Sequence, residues 1–118
     1  MSQRSIPTEV TIYHNPRCSK SRQTLALLEE QGIQPAVVEY LKTPPDAKTL
    51  RALLKKLGLG PRDILRKKEA MDAGIADLDG DALIEALVAN PIAIERPIVV
   101  AGGKARLGRP PEQVLEIL

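Results

Sequence analysis

An α/β sandwich built on a four-stranded mixed sheet is the fold class that this sequence predicts, and three observations carry it. A β-branched run, Val10-Thr11-Ile12-Tyr13, is followed by a helical segment and then a second strand from Ala36 to Tyr40. Leucines recur at helical spacing through the middle of the chain. Near the end, Pro97-Ile98-Val99-Val100 and Ala105 to Leu107 flank Gly102-Gly103, the composition of a tight hairpin.

Each element has a local reason. The first strand ends at Asn15-Pro16, a turn pair. The helix expected from about Ser19 to Gln31 sets Leu25 and Leu28 on one face and stops at Gly32, where the absence of a Cβ suits a helix C-terminus. Strands joined by such a helix run parallel, with a right-handed crossover. From Asp46 the residues Leu50, Leu53, Leu54 and Leu57 fall at i, i+3, i+4 and i+7, and Gly58 closes this amphipathic helix. Shorter helical pieces follow, one opened by Pro61 through Asp63-Ile64-Leu65 and one from Glu69 to Ala73. Asp79 or Asp81 caps a helix that carries Leu83, Ile84, Leu87 and Val88 and ends near Asn90-Pro91. The last segment, Pro110 to Leu118, opens on proline and sets Val114, Leu115 and Leu118 on one helical face. With no repeat, low-complexity tract or long linker, residues 1–118 read as one domain with a helical insertion over about 46–90.

Composition narrows the function. At 118 residues, 43% hydrophobic and 27% charged, the chain is an ordinary globular one. It has two Tyr and no Phe or Trp, so the core rests on Leu, Ile, Val and Ala, and surfaces for stacking bases are nearly absent. Seventeen basic against fifteen acidic side chains leave +2, too near balance for a polyanion partner. Nucleic acid is therefore not expected, whereas a compact anion is compatible, because a few arginines can converge without moving the total. No apolar run approaches the roughly 18 residues of a membrane span, and Met1 to Glu9 lacks the apolar stretch of a signal peptide. A cytoplasmic protein with no membrane partner is the expectation. Cys18 is the single cysteine, so any resolving thiol must come from another molecule.

That cysteine lies in His14-Asn15-Pro16-Arg17-Cys18-Ser19-Lys20-Ser21-Arg22, between a strand and a helix. At a helix N-terminus unpaired N–H groups and the positive end of the dipole stabilise a thiolate, and the same groups bind oxyanions. Arg17, Lys20 and Arg22 add charge, and His14 is a candidate to act on the sulfur when protonated or hydrogen-bonded to it. These neighbours favour a nucleophile over a small buried hydrophobe, the other common fate of a lone cysteine. Ser21 completes a C-x-x-S pattern, and its hydroxyl has two open readings, a helix cap or a hydrogen bond to the thiolate. With no His/Cys cluster and no Gly-rich phosphate loop, neither a metal nor a bound cofactor is expected.

Several segments together resemble the glutaredoxin-dependent arsenate reductase (ArsC) family: Ile12-Tyr13-His14-Asn15-Pro16 with Cys18, Tyr40-Leu41 with Pro44-Pro45, Leu65-Arg66-Lys67, Asn90-Pro91-Ile92, Arg96-Pro97-Ile98-Val99-Val100, and Arg106-Leu107 with Arg109-Pro110. The resemblance implies a thioredoxin/glutaredoxin-like fold. It also implies that Cys18 attacks arsenate or a similar oxyanion while Arg66, Arg96 and Arg109 hold it, and that the Arg96-Pro97 bond is cis and faces the cysteine loop. Planar guanidinium forks suit a tetrahedral oxyanion. Glutathione as co-substrate and glutaredoxin as partner follow from the same resemblance. Each arginine has a plainer alternative: Arg66 lies in the basic stretch Arg51 to Lys68, which otherwise reads as a solvated helix face, and Arg109 as a local cap. Ser19-Lys20-Ser21 departs from the Gly-Thr-Ser usual after the cysteine, and the chain stops at Leu118, as in a shorter subgroup. Two rival functions stand beside arsenate reduction. One is a glutathione-dependent thiol-disulfide reductase. The other is a transcriptional regulator that binds RNA polymerase through the basic stretch, disfavoured because Ser21 removes the second cysteine of a redox switch.

Overall fold

The computed structural model describes residues 9–118, so the reading of Met1 to Glu9 falls, except for Glu9, outside the described residues. Strand β1 (Val10–His14), helix α1 (Ser19–Glu30) and strand β2 (Ala36–Glu39) form the opening β-α-β unit. Strands β3 (Ile98–Ala101) and β4 (Lys104–Leu107) complete a four-stranded sheet in the order β2-β1-β3-β4. β1 runs parallel to β2, pairing Ile12 with Val37, and antiparallel to β3, pairing Ile12 with Val99. β3 and β4 form the expected hairpin, closed by the Ala101–Lys104 pair. Its turn residue Gly102 has φ 62, a conformation that only glycine adopts without steric cost.

Side chains alternate across a strand, so the sheet offers two faces. On one, Val10, Ile12, Val99 and Ala101 pack with Leu28 of α1, Ile33, Val114 and Ile117. On the other, Ile98 and Ala105 pack with Tyr40 and with the leucines and isoleucines of the helical segment. That segment comprises α2 (Ala47–Leu57), α3 (Lys67–Asp72) and α4 (Gly80–Ala89), with 3-10 turns at Pro61–Ile64 and Pro91–Ala93. α2 is specified locally at both ends. Asp46 Oδ1 accepts the Thr49 N–H at 2.7 Å, and Gly58 ends the helix at φ 71. It buries Leu50, Leu53 and Leu54 and leaves Leu57 half-buried.

Four local expectations need correction. The segment Pro111–Ile117 is a 3-10 helix, and its buried face is Pro111, Val114 and Ile117 instead of Val114, Leu115 and Leu118. Three residues per turn stack positions i, i+3 and i+6, which α-helical spacing does not. The buried face of α1 is Ser21, Thr24 and Leu28, with Leu25 only half-buried. Asp79 stands at the N-cap position of α4 without a side-chain capping bond. The basic stretch Arg51 to Lys68 is not one helix face: it is divided among α2, the Pro61–Ile64 turn and α3. Within it Arg51 pairs with Asp81 and Glu85, and Arg62 donates to the carbonyls of Ala76 and Leu78. Among the described residues no helix is long and apolar enough to cross a membrane.

Candidate active site

Cys18 is the N-cap residue of α1 and is partly exposed. The turn that delivers it is built by Asn15: its carbonyl accepts the Cys18 N–H at 3.0 Å, and its Oδ1 accepts the Arg17 N–H at 3.0 Å. Burial raises the thiol pKa, but the N–H of Ser21, the Arg96 guanidinium and the N–H of Lys20 together bring it below the ordinary thiol value. The side chain that lowers the thiol pKa thus belongs to a residue 78 positions away. Arg17 and Lys20 are exposed, and Arg22 donates to the Pro16 carbonyl at 2.9 Å.

His14 and Ser21 meet each other rather than the sulfur. His14 Nδ1 lies 2.6 Å from Ser21 Oγ, and the same hydroxyl accepts the Asn15 N–H at 3.1 Å. Neither open reading of Ser21 holds: its hydroxyl clamps the loop to the buried histidine, while its backbone N–H serves Cys18. Burial pushes the His14 pKa below the ordinary histidine value, Glu39 opposes this, and Arg22 adds to it. A neutral ring at neutral pH follows.

The three arginines arrive from separate elements. Leu65 and Ile94 form an isolated antiparallel bridge, in which Arg66 N donates to Ala93 O at 2.8 Å and Glu95 N to Ile64 O at 2.7 Å. That bridge sets Arg66 beside Glu95. Arg66 Nε pairs with Glu69 Oε2 at 3.1 Å, and its Nη1 with Glu95 Oε1 at 2.7 Å. Arg109, just after β4, places Nε 2.9 Å from the same Oε1 and donates to the Arg96 carbonyl at 2.9 Å. Its Nη2 reaches Cys18 Sγ at 3.6 Å. Arg96 differs, because its Nε and Nη1 are buried and have no hydrogen-bond partner. Unpartnered buried guanidinium atoms are costly, and an incoming anion would satisfy them. A cleft of about 430 Å³ opens along Arg66, Glu69, Glu95 and Arg109.

The Arg96-Pro97 peptide bond is cis, and so is Arg109-Pro110, which the sequence reading did not anticipate. Pro97 is buried, and its carbonyl accepts the Gly108 N–H at 3.0 Å. A Cβ on Gly108 would lie 2.5 Å from Thr24 Oγ1 and 2.7 Å from Pro97 Cγ, so only glycine lets α1 and the Pro97 and Arg109 segments approach this closely.

The ArsC family matches residues 13–117. The chain belongs to the ArsC family. It is 61% identical to the uncharacterized protein YfgD of Escherichia coli, over 93% of this chain and 97% of that one. It is 49% identical to an arsenate reductase of Neisseria meningitidis, over 93% of this chain and 98% of that one. Among solved structures, an arsenate reductase from Vibrio cholerae superposes with a TM-score of 0.86 at 52% identity, covering 98% of this chain and all of that one. The thioredoxin-like α/β fold of ArsC proteins is therefore the fold of this chain.

Sequence reasoning overlooked four residues of this site: Glu95, Glu69, Tyr40 and Gly108. Glu95 adjoins Arg96 and Gly108 adjoins Arg109, but a carboxylate or glycine next to an arginine carries no signal until the fold closes. Tyr40 is buried, and its hydroxyl donates to Ile94 O at 3.4 Å. Burial raises its pKa to about 12, against the pull of Arg96 and Arg66, so it stays a neutral wall of the site.

Proposed function

We propose that this protein is an oxidoreductase that reduces arsenate to arsenite with Cys18 as its single nucleophile and with glutathione and glutaredoxin as external reductants. The observation that carries this reading is the meeting of Cys18 Sγ with Arg109 Nη2 beside the buried, unpartnered Nε and Nη1 of Arg96. A lowered thiol pKa supplies the nucleophile, and the fixed guanidinium donors supply electrostatic stabilisation for the oxyanion as charge develops. The names of relatives at 42–49% identity, arsenate reductase, support the same chemistry.

In this reading Arg66, Arg96 and Arg109 hold the anion and Cys18 Sγ attacks arsenic. One arsenate oxygen takes up protons and leaves as water, and a sulfur–arsenic(V) bond forms. A glutathione thiolate then attacks Sγ. The sulfur–arsenic bond breaks with its electron pair left on arsenic, which departs as arsenite, while Cys18 and glutathione form a disulfide. Glutaredoxin restores the thiol. The external thiol is required because Cys18 has no second cysteine within the chain. No bound cofactor or metal takes part in this scheme.

The test is NADPH-coupled arsenate reduction with glutathione, glutathione reductase and glutaredoxin supplied. Turnover should require glutathione, vanish in Cys18→Ser and fall by about 10²–10³ in Arg96→Ala, the usual loss for one preorganised donor to a developing oxyanion. Rapid reduction of a glutathionylated peptide with no arsenate turnover would replace this reading with thiol-disulfide exchange.

A further inference from the structure

Glu95 is a carboxylate inside an anion site. Its Oε1 takes Arg66 Nη1 at 2.7 Å, the Arg96 backbone N–H at 3.2 Å and the ion pair with Arg109 Nε at 2.9 Å. Oε2 takes part in none of these contacts. The side chain is 22% exposed and lines the cleft with Arg66 and Arg109. One oxygen of Glu95 is thus spent on holding the arginines, and the other is left as an acceptor beside them.

An acceptor with a negative charge discriminates among tetrahedral oxyanions by their protons. At neutral pH arsenate and phosphate keep at least one hydroxyl and can donate a hydrogen bond to a carboxylate. Sulfate carries no proton there, and it meets the same carboxylate with repulsion and no bond. Leaving a charged acceptor unpaired against the wrong ligand is a strong means of selection.

We propose that Glu95 is a specificity-determining residue that selects oxyanions still bearing a proton: Oε1 fixes Arg66 and Arg109, and Oε2 accepts a hydrogen bond from the hydroxyl of the bound anion. This rests on the oxyanion site argued above but does not require turnover. Glu95→Gln keeps the Oε1 acceptor for the arginines and turns the second position into a donor, so the preference should collapse while the arginines remain gathered.

Equilibrium binding of arsenate, phosphate and sulfate, read by protection of Cys18 from alkylation, tests this on the purified protein. Wild type should bind arsenate and phosphate at least about ten-fold more tightly than sulfate, the usual scale of one charge-assisted hydrogen bond. In Glu95→Gln that ratio should fall by about ten-fold, sulfate gaining and arsenate losing, with the unfolding midpoint as a check on the fold. Equal affinity of wild type for sulfate and arsenate overturns the proposal whatever the variant does. So does a Glu95→Gln effect that raises or lowers all three anions alike, since that marks a uniform charge or scaffold role. If selectivity holds but arsenate is not reduced, the reductase reading fails and Glu95 keeps its role. If arsenate is reduced without selectivity at Glu95, the reverse is true.

Discussion

The two faces of the sheet are built on opposite terms. The face covered by α2, α3 and α4 is a continuous apolar core in which Leu50, Leu83, Leu87 and Ile64 are fully buried. The face covered by α1 and the Pro111–Ile117 helix has a smaller apolar cluster and, beside it, a seam of buried polar groups: His14, Asn15, Ser21 and Thr24. The apolar face rests on volume, where an apolar side chain of similar volume is the substitution tolerated best. The seam rests on directed contacts, because every buried polar group there needs a partner. It is also the face that carries Cys18, so the chemistry sits where packing is least forgiving in geometry and leanest in apolar area.

The largest effect on stability is expected on the apolar face. Leu83→Ala should cost about 2–5 kcal/mol in urea unfolding, the usual range for a buried leucine truncated to alanine. The pH midpoint of Cys18 alkylation should stay where it is in the wild type. A shifted midpoint would mean that the two faces are coupled.

A smaller loss of stability with a larger chemical effect is expected at the seam. Gly108→Ala forces a methyl group against Thr24 and Pro97 and should cost about 1–3 kcal/mol. Because that methyl group presses on Pro97, the neighbour of Arg96, whose guanidinium lowers the thiol pKa, the alkylation midpoint should move up toward that of an ordinary thiol. Stability lost with an unmoved midpoint would erase the distinction between the faces.

The smallest effect is a pH dependence. Burial holds His14 below its ordinary pKa, so between its folded and unfolded values the unfolded chain binds the additional proton. Stability is therefore fully present above the ordinary histidine range and declines as the pH falls through it. A slope of wild-type stability over mildly acidic pH that matches that of His14→Gln would show the seam histidine to be unperturbed.

How much of this was legible in the sequence depends on the face. On α2, the leucine period, Asp46 and Gly58 named the helix, its ends and its buried stripe, because each acts within a few residues of itself. On α1 the apolar period pointed to Leu25 and Leu28, whereas Ser21 and Thr24 lie in the buried face. A serine or threonine is read as surface until its partners are known, and His14, Asn15 and Gly108 are brought by other strands and turns.

The sequence by itself determined the order of elements, the parallel opening unit, the hairpin at Gly102-Gly103 and a lone cysteine ahead of a helix, since hydrophobic period, turn chemistry and composition are local quantities. Only the tertiary structure decided which charges reach the sulfur and what holds them. Arg96 acts on Cys18, Arg109 touches it, and Glu95 joins Arg109 to Arg66 because the Leu65–Ile94 bridge and the close approach at Gly108 bring together segments up to 91 residues apart. Electrostatic and hydrogen-bond effects fall off over a few ångströms of space and take no account of distance along the chain, so they become readable only once the chain has closed on itself.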